Sequence, residues 1–254
     1  KTTTLRLLGK YLHPDYVVIS MNFQKLSTAK FRDEDTFSRA FANEFVKKAI
    51  PETKTGRLDT ALVQELKHRQ DGGQGLFDLT ELFESISEIC RTAKQQLVLM
   101  IDEADQASNN QVFLDFLGQL RAYYLEREET PTFHSVILAG VYDIKNLKLK
   151  LRPEGMHRYN SPWNVTAPFA VNMSFLPNDI QTMLQEYEAE HQTGMDMPAM
   201  AQGLYEVTGG YPYLVSSLCR KLDETRAGWN LAELRMAVRD FLKEPNTLFE
   251  DVIK

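Results

Sequence analysis

The apolar positions of the chain fall into two alternating rhythms. Leu5, Leu7, Leu8, Tyr11 and Leu12 recur at helical spacing and predict a helix almost at the start of the sequence. His13-Pro14-Asp15 ends it, because proline lacks an amide donor and pushes the preceding residue out of the helical region. Tyr16 to Phe23 (YVVISMNF) then reads as a short buried strand, rich in β-branched and aromatic residues. A helix from about Asp35 to Ile50 follows, with Phe37, Phe41, Phe45 and Val46 on one face and Pro51 as its stop. Glu52 to Asp59 is polar and predicts a loop, Thr60 to Arg69 a helix, and Asp71-Gly72-Gly73-Gln74-Gly75 a break. Asp78, with Glu81 three residues on, signals a capped helix whose apolar face is Leu79, Leu82, Phe83, Ile86, Ile89 and Cys90.

The same alternation continues. Gln96 to Ile101 predicts a strand, Asn110 to Arg127 a helix, His134 to Val141 a strand, and Ala170 to Phe175 a further strand. Strands separated by helices of this length require crossover connections and hence a parallel sheet. After Leu176-Pro177-Asn178-Asp179 only helical patterns remain, over about Asp179–His191, Pro198–Thr208, Pro212–Thr225 and Asn230–Lys243. The reading is an α/β domain over 1–176 and a small all-helical domain over 177–254.

Composition narrows the class rather than the function. The 254 residues are 43% apolar and 25% charged, with 13 Gly and 10 Pro, which are globular values. The 29 Lys+Arg against 35 Asp+Glu give a net charge of −6, unlike a strongly basic wrapper of nucleic acid. Two cysteines, Cys90 and Cys219, cannot build a disulfide scaffold or a Cys-rich zinc site. The longest apolar run near a strand, Leu97 to Ile101, is far short of the ~20 residues of a membrane helix. With no signal-peptide pattern either, the expected location is the cytoplasm.

Two places carry chemistry. Leu97-Val98-Leu99-Met100-Ile101 ends in Asp102-Glu103, which puts two carboxylates at the carboxyl end of a buried strand, the edge where open α/β sheets bind ligands. One acid there suits the water shell of Mg²⁺ and its neighbour the polarising of an attacking water. The other place is the front: Lys1-Thr2 before an apolar helix matches the end of the phosphate-loop motif G-x-x-x-x-G-K-[ST]. In that loop, backbone amides at a helix N-terminus cradle phosphates, the lysine reaches the terminal ones and the hydroxyl meets Mg²⁺. The sequence is therefore expected to have been cut within the loop, with an interior strand and the glycines left off.

Taken in order, these residues resemble the AAA-like P-loop ATPases, the group with a catalytic glutamate that includes the archaeal-type and signal-transduction (STAND) ATPases. Lys1 and Thr2 match the end of Walker A, Asp102 and Glu103 match Walker B, and Ser135 to Gly140 lies where the sensor-1 strand falls. Tyr142 and Asp143 follow that strand. Thr208-Gly209-Gly210-Tyr211-Pro212-Tyr213-Leu214 looks like the family's Gly-x-Pro turn, whose proline lies against adenine in relatives. The resemblance implies a three-layer P-loop fold, a parallel sheet flanked by helices, followed by a helical lid. It implies ATP and Mg²⁺ as cofactors, with Lys1, Thr2, Thr3, Gly210, Tyr211 and Pro212 binding the nucleotide, Thr2 and Asp102 meeting the metal, and Asp102 and Glu103 catalytic. It also implies a nucleotide-driven switch working on a protein partner or on a second copy through the lid. A DNA-associated ATPase, initiator-like or nuclease-coupled, and a non-hydrolysing scaffold are the alternative readings.

A basic stretch, Lys145, Lys148, Lys150, Arg152, His157 and Arg158, offers Arg152 and Arg158 as arginine-finger candidates. The five histidines show no metal-ligand spacing. Cys90 and Cys219 fall on apolar helix faces and read as packing residues.

Overall fold

The computed structural model describes residues 2–72, 75–107, 110–140, 167, 171–225 and 228–243. The chain divides into two compact units, Lys1–Ala167 and Pro168–Lys254.

In the first unit, α1 (Thr2–Leu12) leads into β1 (Val17–Asn22). Three helices follow, α2 (Glu34–Lys54), α3 (Thr60–Gln70) and α4 (Leu79–Thr92), then β2 (Leu97–Asp102), α5 (Gln111–Leu125) and β3 (Ser135–Leu138). The described strands form one parallel sheet in the order β1-β2-β3. Val17 to Asn22 align with Leu97 to Asp102, and Val98 to Ile101 with Ser135 to Leu138.

Strand residues alternate between faces, and the two faces are covered differently. Val17, Ile19 and Met21 of β1 and Leu97, Leu99 and Ile101 of β2 join a phenylalanine-rich core. That core takes Phe37, Phe41 and Phe45 from α2, Phe83 from α4, and Phe113 and Phe116 from α5. Most of its ring pairs meet edge-on or tilted, as between Phe37 and Phe116 (5.3 Å) and Phe41 and Phe116 (4.9 Å), a geometry aromatic quadrupoles favour. The opposite face is held by α1. A Cβ placed on Gly9 would lie 3.7 Å from Val18 and 3.8 Å from Met100, so the helix backbone runs close over the sheet there. Helix, sheet and helix make three layers. Of the apolar residues predicted for α1, Leu5 is buried, whereas Leu7 and Tyr11 are exposed. The covered stripe is narrower than the pattern suggested.

Two expectations are corrected. Pro51 does not stop α2, which continues to Lys54, so the expected loop at 52–59 begins later. Proline costs the helix one amide donor near its end, and tertiary bonds hold the next residue in place. Glu52 is buried, its Oε1 3.1 Å from His13 Nε2 and its Oε2 3.5 Å from Arg57. Arg57 also donates to the His13 carbonyl at 2.9 Å. The strand expected at 170–175 is not formed over 171–175, where the backbone is irregular. The Phe175 amide donates instead to the Gly210 carbonyl at 2.8 Å, and its ring packs on the second core.

The second unit contributes α6 (Pro177–His191), α7 (Met197–Thr208), α8 (Pro212–Glu224) and α9 (Leu231–Phe241). Ile180, Leu184, Met200, Leu204, Val215, Leu218, Leu222, Trp229 and Leu234 form its own core. Cys90 and Cys219 are half-buried in the two units, and burial pushes each thiol up to about 12.

Candidate functional site

The carboxyl edge of the sheet brings together the two chemical features of the sequence. β2 is buried at every position, so the apolar run delivers Asp102 to the strand's end with only 6% of its surface exposed. At the other end of the sequence, Thr2 opens α1. The Thr2 hydroxyl donates to Asp102 Oδ2 at 2.6 Å, across a hundred residues of chain. A short hydroxyl-to-carboxylate bond of this kind is charge-assisted and among the stronger side-chain bonds. The second carboxylate oxygen, Oδ1, accepts from the Glu103 amide at 3.1 Å.

Glu103 leaves the strand with φ 54, in the left-handed region that a residue with a Cβ rarely adopts. Such strain persists where surrounding bonds impose it, and it concentrates at functional sites. Here the Ala104 amide donates to the Ala139 carbonyl at 2.9 Å, and the Ala139 amide to the Ile101 carbonyl at 2.9 Å. These two bonds stitch the turn after β2 to the end of β3. A short 3₁₀ turn, Ala104–Ala107, completes it.

Of the predicted residues, Thr2, Asp102 and Glu103 therefore gather at one edge. Thr3 is exposed in the first turn of α1. Lys1, Tyr142, Asp143, Arg152 and Arg158, with the whole basic stretch, lie outside the described residues. Gly210, Tyr211 and Pro212 sit in the second unit. Gly209 and Gly210 both adopt positive φ (59 and 74) between α7 and α8, Tyr211 caps α8 and Pro212 is its first residue, where a missing amide costs nothing. A Cβ on Gly210 would lie 1.9 Å from the Phe175 carbonyl oxygen, so only glycine fits.

Sequence reading missed one pair. Asp105 packs on Gly140, just past β3, and its Oδ1 is buried without a hydrogen-bond partner among the described residues. An isolated glycine at a strand end marks close backbone approach, and that was the available signal.

The donor set at Thr2 and Asp102 is a hydroxyl and a carboxylate, hard oxygens of the type Mg²⁺ takes. Among the described residues no group of three or more His, Cys, Asp or Glu gathers as a metal site. A site with one carboxylate and one hydroxyl suits a Mg²⁺ that draws its remaining ligands from water and phosphate. The three-layer parallel fold, with an acid-tipped strand joined to the first residue of a helix, is the arrangement the sequence comparison then accounts for. The chain belongs to the AAA-like domain family. The family model matches residues 1–234, across both units. No curated protein matches the chain closely enough to stand as a relative. Membership in this family points to nucleotide binding of the ATPase type. No described helix is long and apolar enough to cross a membrane.

Proposed function

We propose that this domain binds ATP with Mg²⁺, hydrolyses it, and acts as a nucleotide-driven switch within a larger protein. The observation that carries the reading is the 2.6 Å bond between Thr2 and Asp102. It ties the start of a helix to the acidic end of the neighbouring buried strand, as a phosphate loop and a Walker B strand require. Bound Mg²⁺ would supply positive charge to the phosphate oxygens.

The chain's own residues divide the work. Thr2 and Asp102 would hold the metal, Thr2 through its hydroxyl oxygen and Asp102 by orienting the metal's water shell. Lys1, which matches the end of Walker A, would supply charge to the terminal phosphates, and Thr3, next in sequence after Thr2, would join it in binding the nucleotide. Glu103, turned out of the strand by its left-handed backbone, takes the proton of the attacking water. Gly210, Tyr211 and Pro212 keep the role that the resemblance gives them, against the adenine, and the helices from residue 177 onward act as a lid. The resemblance to signal-transduction ATPases points to a protein partner, or a second copy engaged through the lid, as the recipient of the switch, with the cytoplasm as its proposed location.

Steady-state hydrolysis by the full-length protein tests the reading, beside Glu103→Gln. The variant should lose at least about 100-fold in kcat, as expected for a group acting on the reacting water, while binding ATP as tightly as the wild type. Equal background rates in both would rule out hydrolysis. No ATP binding by either would rule out the nucleotide site.

A further inference from the structure

The turn that carries Glu103 holds a second acid, Asp105, packed against bare backbone. Asp105 lies lengthwise over Gly140. A Cβ on residue 140 would meet Asp105 Oδ1 at 2.7 Å, Cγ at 3.2 Å and Cβ at 3.3 Å. The same Oδ1 is shut from solvent and unpartnered among the described residues. Leaving a buried acceptor unpaired is costly, so an apolar side chain would fill this space more cheaply. Beside it, Glu103 is held in a strained conformation. The backbone bonds from Ala104 to Ala139 and from Ala139 to Ile101 join the turn to the tip of β3 along the same line.

We infer that Asp105 is a positioning residue for Glu103: by packing on the bare backbone of Gly140 it fixes the turn 103–107 against the tip of β3, and so fixes where the Glu103 carboxylate points. On this view Gly140 matters because it has no side chain, since a Cβ there would displace the Asp105 carboxylate from the strand end. A shift at the tip of β3 is passed to Glu103 through this contact rather than through the nucleotide. The inference rests on the hydrolytic reading of Glu103.

The test is a double-mutant cycle on the full-length protein. Asp105→Ala should lower kcat for ATP hydrolysis at least tenfold with KM within twofold, because the group positions the base and does not bind substrate. Asp105→Asn, which keeps the shape, should restore kcat to within about threefold of wild type. Gly140→Ala should lower kcat as Asp105→Ala does, and the double variant should be no slower than Asp105→Ala alone, since the clash is gone. A second readout needs no activity: the Ala104 amide should exchange with solvent at least tenfold faster in Asp105→Ala, with the melting temperature of the protein held within a few degrees. Kinetic values within twofold of wild type for Asp105→Ala and Gly140→Ala, in a protein that Glu103→Gln inactivates, would overturn the inference alone. Multiplicative losses in the double variant, or unchanged Ala104 exchange, would overturn it too. If no Glu103-dependent hydrolysis exists, the functional reading falls, and the exchange measurement still decides whether Asp105 holds the turn.

Discussion

At the scale of single residues, the candidate site separates what a sequence can display from what only a fold assembles. Asp102 and Glu103 were legible because a continuous apolar run must stop somewhere, and the first acids after it mark the strand's open end. Thr2 was legible through motif spacing. Asp105 and Gly140 were not, since thirty-five residues separate them and a lone glycine at a strand end does not say which residue lies against it. Gly210 stands between these cases. Its place before Tyr211-Pro212 drew attention, but the reason for glycine there is the Phe175 carbonyl, whose amide side also donates to the Gly210 carbonyl. Gly210→Ala must both hold a left-handed backbone and displace a carbonyl oxygen, at a combined cost of about 3 kcal/mol or more. Amide exchange across α6 to α9 should rise accordingly, while the exchange of β1 and β2 stays as in the wild type.

At the scale of elements, most boundaries follow from caps that the sequence spells out. Asp78 Oδ1 accepts from the Glu81 amide at 3.0 Å and opens α4, as its spacing predicted. Pro51 misled because a helix end is settled by whatever fixes the next turn, and the buried Glu52 with its His13 and Arg57 partners lies far away in sequence. The run from Ala170 to Phe175 misled for a related reason: alternating apolar residues fit a strand, but the Phe175 amide is bonded to the Gly210 carbonyl in a turn rather than to a neighbouring strand. The cap of α2 gives a pH prediction. Asp33 accepts from the Thr36 amide at 2.8 Å, and bonds from Thr36 followed by Arg32 hold its carboxyl down at about 2, against the ordinary 3.8. A carboxyl depressed on folding contributes fully above its unfolded value and loses that contribution as pH falls through the folded one. The stabilisation is thus present above pH 3.8 and lost on the way down through about pH 2. Carbon-detected titration of Asp33 should show a midpoint near 2, and Asp33→Asn should flatten the dependence of stability on pH across that window.

At the scale of the whole molecule, the chain builds two cores of different character, one rich in phenylalanine against a parallel sheet and one of largely aliphatic residues, with Trp229, among four helices. The fold class was readable because strand and helix periods alternate before residue 177 and only the helical period survives after it. The crossing of α1 over one sheet face, with the phenylalanines on the other, was not, because β2, buried at every position, shows no alternation to read. Phe116 is fully buried and touches rings from α2, α4 and α5. Phe116→Ala should cost about 3–5 kcal/mol, and calorimetry with residue-level exchange should locate the loss in the first unit. The parallel pairing has a temporal consequence. β1 must wait for a partner whose first residue, Leu97, comes eighty positions after Val17, whereas each helix of the second unit meets neighbours close in sequence. Long loop closure slows folding and local contact speeds it. The helical unit is thus the quick half of the molecule. The edge that carries Asp102 and Glu103 is among the last things the chain completes.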